Sequence, residues 1–538
     1  MSAQLSFGTA GLRAPVGPGP DKMNVSTVTR ATGGVAAWLT RHSHHEDHGG
    51  SISVAVGFDS RYGSHAMARA AAETFAGAGF DVTLIAHPAP TPVLAWLVRH
   101  RGLDAGVQIT ASHNPKADNG YKLYLAGGSQ LVSPADREIE ELISRQPEAA
   151  EVPRSTTVSL DLGAVEGYVA AVAAPMTSGE SHVLSSRRNL RVLYTALHGV
   201  GGYALEEAFR KVGFHRPQTV VPQRWPDPEF PTVDFPNPEE PGTPDLLLSA
   251  ASNAAPEDRP DLLVALDPDA DRCMIGIPDP TAPYGYRMLR GDTTGPLLAT
   301  RSVAAHDSSG DTPAPVVATT VVSSSLLGRI AAEKGWDYRE TMTGFKNLAR
   351  AAGNAPGELA FAYEEAIGTC PFPSIVADKD GIATALFAAT WAAELKSEGR
   401  TLRDELRAID ETYGPVRTAQ ISVRCSSPAA AAALVDEWAT TPPADFGRDA
   451  RDGSAGGSAV ETTALDGQNR SSGLRLVWQD AGLDYRVIAR PSGTEPKAKF
   501  YLQVAEATGT ADTDTESVVE KVETALADLT ALVHKLTN

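Results

Sequence analysis

Three times along this chain an apolar run of strand length leads into a stretch of helix length, and that recurrence constrains the fold more than any other feature. Residues 53–58 (Ser-Val-Ala-Val-Gly-Phe) read as a strand, the alanine-rich stretch from Ser64 to Ala76 as a helix, and Val82 to Ile85 as a second strand. A helix from Val93 to Arg99 then precedes a strand ending at Val107-Gln108-Ile109. The pattern restarts at Arg191 to Thr195, runs through a helix from Leu205 to Val212, and reaches the apolar strand Leu262 to Leu266. A third round opens at Val316 to Val322 and includes the alanine-rich helix from Ile382 to Lys396. Such alternation is βαβ wiring and predicts parallel strands. Three restarts of one supersecondary pattern predict three similar α/β domains, although their sequences differ.

The last segment breaks the pattern. A strand from Arg417 to Val423 opens an α+β unit, and Val518, Val522, Leu526, Leu529, Val533 and Leu536 mark one face of a terminal helix. The expected limits are 1–188, 189–305, 306–413 and 414–538, in keeping with 538 residues being too many for one hydrophobic core. Two stretches read as surface insertions: 42–50, with His42, His44, His45 and His48, and 448–472, rich in Gly, Ser, Asp and Arg. No regular element fixes ligand geometry for those histidines, so a solvated loop is expected there rather than a metal site.

A formal charge of −19 argues against nucleic acid or an anionic membrane as a partner, because both require a basic surface. Any anionic substrate must therefore meet locally concentrated Arg and Lys. Cys273, Cys370 and Cys425 are too few and too scattered for a disulfide framework or a zinc site, which points to a reducing cytoplasm. The first residues lack a basic start and an apolar core, so no signal peptide is expected, and no apolar stretch is long enough to span a membrane.

Against this background one serine stands out. Ser112 lies in Thr110-Ala111-Ser112-His113-Asn114-Pro115, between a strand end and a pair of residues that forces an irregular turn. Lys116 and Lys122 flank what reads as an Asp118-Asn119-Gly120 turn, so two ammonium groups lie close in sequence. A second constellation, Asp267-Pro268-Asp269-Ala270-Asp271-Arg272, follows directly on a buried strand. Three alternate carboxylates offer hard oxygen ligands that select Mg²⁺, and a phosphoserine oxygen would complete their coordination. An acidic turn and the Asp-x-Asp nucleophile of haloacid-dehalogenase-like phosphatases compete for this string. In those phosphatases, however, a small or β-branched residue usually stands where this chain has Asp271.

Further motifs are suited to a phosphorylated polyol. Arg490, Ser492, Gly493, Thr494 and Lys499 combine cationic side chains with a hydroxyl-rich turn that can cradle a phosphate. Glu364 and Glu365 leave an apolar run and can accept hydrogen bonds from adjacent sugar hydroxyls, or simply start a helix. Thr343-Gly344-Phe345-Lys346 is a loop whose lysine can meet a phosphate or a ring oxygen, or face solvent. Gly199-Val200-Gly201-Gly202 lacks dinucleotide spacing and reads as a tight turn.

Taken in order, residues 7–13, 110–115, 267–272, Glu364-Glu365, 378–381 (Asp-Lys-Asp-Gly) and 490–494 make the chain resemble the α-D-phosphohexomutase superfamily over essentially its full length. The nearest branch is the phosphoglucomutase-2/phosphopentomutase-like one, which also includes bacterial phosphomannomutases. The resemblance implies three mixed α/β domains around a central cleft plus the C-terminal α+β domain, with Mg²⁺ as cofactor and a phosphosugar as substrate. Ser112 would be phosphorylated and share the metal with Asp267, Asp269 and Asp271. Lys122, Arg13 and Arg272 would stand near the transferring phosphoryl group, and His113 would shape the serine loop. The loop at 490–494 would grip the non-reacting phosphate. The reaction implied is a 1-phosphate to 6-phosphate isomerisation of glucose or mannose, or 1- to 5- for a pentose, through a sugar bisphosphate. Lys122 is a candidate general base if neighbouring cations lower its pKa. A Mg²⁺-dependent sugar phosphatase, a sugar-bisphosphate synthase and a silent phosphosugar-binding protein are the alternatives. Phe345-Lys346 follow Thr343-Gly344 where many members of the family have histidine, and Ala366 stands where several have serine, so their sugar preference does not transfer to this chain.

Overall fold

The computed structural model describes residues 5, 11–42, 50–306, 312–446, 460–465, 473–492, 496–507 and 514–537. It divides into two compact units, the first built chiefly from residues 1–304 and 344–403, the second from 319–343 and 404–538.

The first repeat of the first unit contributes β1 (Leu12–Pro15), β2 (Ser53–Phe58), β3 (Asp81–Ile85), β4 (Ala105–Ile109), β5 (Asp118–Leu125), β6 (Ser129–Gln130) and β7 (Ser159–Asp161). They form a sheet of order β1-β5-β4-β2-β3-β7, with β6 paired to β5. The apolar runs that predicted strands are buried on both faces: every residue of β4, and all but the first of β2, is buried. Such double burial is what parallel strands flanked by helices require. The parallel wiring holds for β2 with β3 and with β4, but β4 pairs antiparallel with β5, and β5 antiparallel with β1. The sheet is therefore mixed. Residues 118–120, expected to be a turn, open strand β5 instead.

The second repeat contains β8 (Val192–Thr195), β9 (Gln218–Thr219), β10 (Leu262–Leu266), β11 (Cys273–Pro278) and β12 (Tyr286–Leu289), in the order β12-β11-β10-β8-β9. β8 and β10 are parallel, while β11 returns antiparallel to β10. The third repeat supplies β13 (Val316–Thr320), β14 (Asp337–Thr341), β15 (Leu359–Glu364) and β16 (Gly368–Cys370). The antiparallel pair β15–β16 and the long buried helix Gly381–Ser397 belong to the first unit.

In the second unit β17 (Val416–Arg424), β18 (Glu461–Ala464), β19 (Leu474–Asp480), β20 (Leu483–Pro491) and β21 (Lys497–Glu506) form an antiparallel sheet of order β17-β21-β20-β19-β18. One face carries Ile421, Leu474, Leu476, Trp478, Val487, Phe500, Leu502 and Val504. These pack with the helices Pro428–Thr440 and Thr515–Thr537 into one core, as the spacing of Val518, Val522, Leu529 and Val533 predicted. The two expected insertions are described only in part, 43–49, 448–459 and 466–472 lying outside the described residues. His42 is the last residue of the helix Val25–His42, with its Nδ1 2.9 Å from the Trp38 carbonyl, and 461–464 form the edge strand β18. His44, His45 and His48 lie outside the described residues. No helix among the described residues is long and apolar enough to cross a membrane.

Candidate active site

In open α/β sheets, ligands gather where neighbouring parallel strands send their connections to opposite sides. Both complete sheets of the first unit have such a point. In the first it lies between β2 and β4, and in the second between β8 and β10. Asp59 follows β2, Ser112 follows β4, and the Asp267–Asp271 loop follows β10, so the chemistry-bearing residues leave carboxyl ends of strands.

Ser112 is only 2% exposed and sits in the left-handed region at φ 52°. Holding a non-glycine residue there costs on the order of 1 kcal/mol, so the surrounding structure must impose it. Its N–H donates to Thr110 Oγ1 at 2.9 Å, and its hydroxyl donates to Asp267 Oδ2 at 2.8 Å. His113 Nδ1 lies 3.2 Å from the same hydroxyl oxygen. Burial, then Arg272 and Arg13, hold the His113 imidazole well below the usual histidine range, so it is neutral.

The three aspartates converge as expected, each offering a carboxylate oxygen within 4.8 Å of the others'. Ala270 at φ 55° turns the loop tightly enough to do this. Lys122 Nζ donates to Asp269 Oδ2 at 2.7 Å and to Asp271 Oδ2 at 2.9 Å, all three side chains being buried. Thr91 Oγ1, at the start of helix Thr91–His100, donates to Asp269 Oδ2 at 2.6 Å. Removing one partner from so buried an ionic cluster costs about 3–5 kcal/mol, because the remaining charges lose their compensation. Arg272 closes the loop on itself: its N–H donates to Asp267 Oδ1 at 3.0 Å and its Nε to Asp267 Oδ2 at 3.2 Å. Both oxygens of Asp267 are therefore engaged, which does not suit a free nucleophilic carboxylate.

Burial, then Asp271 and Asp269, push the Asp267 carboxyl well above the usual range. Burial would also raise Asp271, but Lys122, Lys379 and Arg272 outweigh it and hold Asp271 far below that range. Asp269 Oδ1 and Asp271 Oδ1 are buried with no hydrogen-bond partner. Buried carboxylate oxygens are seldom left unpaired, and an all-oxygen donor set of this kind fits a hard divalent cation. The condition set for Lys122 as a general base is a pKa lowered by neighbouring cations. Burial works to lower its pKa, and Lys379 and Arg13 add to that, but Asp269 and Asp271 outweigh them and raise it.

Lys116 and Lys122, close in sequence, part in the structure. Lys116 is exposed in the turn before β5 and bonds Glu229 at 2.8 Å, whereas Lys122 lies within that extended strand and points into the aspartates. Arg13, in β1, donates from Nη1 to Asn114 Oδ1 at 3.2 Å and shares the field of the aspartates. Residues 7–10 of the same motif lie outside the described residues.

Glu364 ends β15, and its carboxyl is pushed up to about 7 by burial and by Glu365, with Lys379 opposing. Lys379, in the 378–381 string to which the sequence reading gives no role, lies 3.5 Å from Asp271 and 3.7 Å from Asp378, with the Phe345 ring 5.4 Å away. Its signal in the sequence is the charge alternation of Asp378-Lys379-Asp380. Gly381, next in line, is where helix Gly381–Ser397 meets the aspartate loop, its N–H donating to the Ala270 carbonyl at 3.2 Å. Gly199 likewise lies against Pro268: a Cβ there would come within 2.3 Å of its backbone. The glycine run at 199–202 thus serves close packing on the aspartate loop. Lys346 sits in the short helix Phe345–Leu348, behind Gly344 at φ 106°.

In the second unit, Arg490 donates through Nη1 to Thr343 Oγ1. Arg490 is the cross-strand partner of Lys499, and on the next strand Lys499 is opposite Ser422 and Lys497 opposite Arg424. Partners and residues two apart share a face, so Arg490, Lys497, Lys499 and Arg424 make a basic surface of which the motif named only two members. The Ser492 N–H donates to the Lys497 carbonyl at 2.8 Å. Gly493 and Thr494 lie outside the described residues.

Parallel-strand ends that deliver a buried serine to three metal-competent carboxylates, with arginine and lysine around them, define an α/β enzyme of phosphoryl transfer. Models of the three α/β/α domains of phosphoglucomutase/phosphomannomutase match residues 4–150, 166–279 and 290–413. The chain is 36% identical over 486 residues to a Haemophilus influenzae protein named "Probable phosphomannomutase", covering 89% of this chain and 92% of that one. It is 32% identical over 551 residues to the phosphopentomutase of Mus musculus, covering 95% and 86%. The solved open form of parafusin, a phosphoglucomutase of Paramecium, shares the fold with a TM-score of 0.72 at 17% identity, covering 99% of this chain and 96% of that one. The chain belongs to the phosphoglucomutase/phosphomannomutase family, and its activity is that of a phosphosugar mutase, an isomerase.

Proposed function

We propose that Ser112 carries the phosphoryl group that this mutase moves between two positions of one aldose phosphate. The observation that carries the reading is the Ser112 hydroxyl 2.8 Å from Asp267, beside two aspartates with unpartnered oxygens. The free hydroxyl of the sugar phosphate attacks the phosphorus of phosphoserine and gives up its proton, the Oγ–P bond breaks, Ser112 Oγ takes up a proton to become a free hydroxyl, and a sugar bisphosphate forms. The intermediate turns over, and Ser112 takes the other phosphoryl group. Asp267, Asp269 and Asp271, with a phosphoserine oxygen, would hold Mg²⁺, which when bound neutralises charge on the transferring group. Arg272 and Arg13 add fixed positive charge, and Lys122 holds Asp269 and Asp271 in place while remaining protonated. Glu364 and Glu365, with Thr343, Gly344 and Lys346, are assigned to the sugar. Arg490, Ser492, Gly493, Thr494 and Lys499 are assigned to the non-reacting phosphate, and the basic face around Arg490 supports this.

The relatives named phosphomannomutase and phosphopentomutase support a 1- to 6-phosphate reaction on a hexose or a 1- to 5-phosphate reaction on a pentose. Domain limits of 1–188, 189–305, 306–413 and 414–538, and a cytoplasmic location, complete the reading. Ser112→Ala should abolish turnover of glucose, mannose and ribose 1-phosphates assayed with glucose 1,6-bisphosphate and Mg²⁺. It should also remove a phosphorylated fraction from the intact-mass spectrum. Near-normal turnover by the variant would end the phosphoserine reading.

A further inference from the structure

Arg61 follows β2 at the switch point opposite the serine loop and is only 4% exposed. Its guanidinium reaches four carbonyls of one loop. Nη2 donates to Ser112 O at 2.6 Å and Asn114 O at 2.7 Å, while Nη1 donates to Pro115 O at 2.9 Å and Asp118 O at 3.2 Å. These carbonyls span the loop from the reactive serine to the first residue of β5. Four converging carbonyl dipoles repel one another unless a cation with several fixed donors lies between them, and a planar guanidinium supplies that fork where an ammonium cannot. Its Nε faces Asp59 Oδ2 at 3.4 Å, and the Phe230 ring lies 4.9 Å from the guanidinium carbon. Asp59 is itself fixed, accepting the Arg61 N–H at 2.9 Å and the Ser64 hydroxyl at 2.5 Å.

We infer that Arg61 is a positioning residue for the reaction: it holds the loop so that Ser112 keeps its left-handed backbone and aims Oγ at the aspartates. The inference rests on Ser112 being the phosphoryl carrier. Nothing else in the described contacts of the loop joins all its turns to one side chain. A 1 Å displacement of a reacting group can cost about 100-fold in rate, so loosening this clamp acts on the chemical step rather than on substrate affinity.

The test is Arg61→Lys, which keeps charge and length but not the fork. Purified protein is incubated with glucose 1,6-bisphosphate and Mg²⁺, and the rate of Ser112 phosphorylation is read by intact mass per folded molecule, with the folded fraction taken from circular dichroism. The expected result is at least a ~30-fold slower phosphorylation and a similar fall in kcat, with KM within ~3-fold. A purely structural role would lower the folded fraction and leave the rate per folded molecule unchanged. Where Arg61→Lys does not fold, Asp59→Asn decides: it keeps Arg61 but removes its ionic anchor. Slowing of about fivefold or more supports the inference, and a rate within twofold overturns it. If the unaltered chain takes no phosphate at Ser112, the phosphoserine reading fails and this inference with it. If the unaltered chain is phosphorylated and Arg61→Lys matches it within threefold, the inference alone fails.

Discussion

Gly381→Ala adds one methyl group where the aspartate loop has no room for it. A Cβ at this position would lie 2.5 Å from the Arg272 carbonyl oxygen, 2.6 Å from its carbon and 2.9 Å from the Ala270 oxygen. All three are backbone atoms, so no side chain can swing aside. Restoring an ordinary contact of about 3.4 Å requires a displacement of roughly 0.9 Å. The helix Gly381–Ser397 is buried along nearly its whole length and resists moving. The aspartate loop must therefore give, and with it the Gly381 N–H to Ala270 bond and the Arg272 N–H to Asp267 bond. Overpacking of this kind costs about 1–3 kcal/mol, measurable as a lowered urea midpoint. The same shift moves Asp267, Asp269 and Asp271 relative to Ser112 and should lower kcat by about 10- to 100-fold with a small change in KM. A variant that keeps its urea midpoint and turns over within twofold of the parent would refute the reasoning, because the loop would then be compliant where its packing says it is rigid.

Glu364→Gln tests this half-buried carboxyl. Its folded-state pKa of about 7 lies above the ordinary value, so the folded state is favoured by it below the ordinary glutamate range and loses that advantage as pH rises towards 7. Relative to the parent, the neutral variant should thus gain roughly 1–2 kcal/mol between pH 5 and pH 8 in urea unfolding, and a flat difference would contradict the burial argument. Arg490→Ala should raise KM about 10- to 100-fold with kcat changed less than threefold, since a lost charge-assisted contact to a non-reacting phosphate removes binding common to ground and transition states. An unchanged KM would take Arg490 out of the phosphate site.

Much of the site was legible because its signals are local. The alternation of carboxylates at 267, 269 and 271 after an apolar strand places three oxygens on one turn, and the strand and turn residues around Ser112 place it at a strand end. These follow from chain geometry within a few residues. The strands β2, β4 and β10 were likewise written in continuous apolar runs, because a strand buried on both faces has no polar positions to disguise it. Lys116 and Lys122 show where local reading stops. Six residues apart, they diverge because Asp118–Leu125 pairs with β4 and β1, a non-local choice that turns a loop into a strand.

Arg61 and Lys379 mark the same limit from the other side. Nothing near Arg61 in sequence announces four carbonyls around residues 112–118, and only the parallel pairing of β2 with β4 brings them within reach. The sequence by itself determined the apolar strands and helices of the repeats, the place of Ser112 at a strand end and the acidic donor set, because backbone sterics and hydrophobic periodicity act over short stretches. Tertiary structure decided which cation meets which carboxylate, that Lys122 stays charged, and that Arg61 grips the serine loop. Those outcomes depend on burial and on distances between segments remote along the chain, where the electrostatic energy of a pair is set by its surroundings rather than by its spacing in sequence.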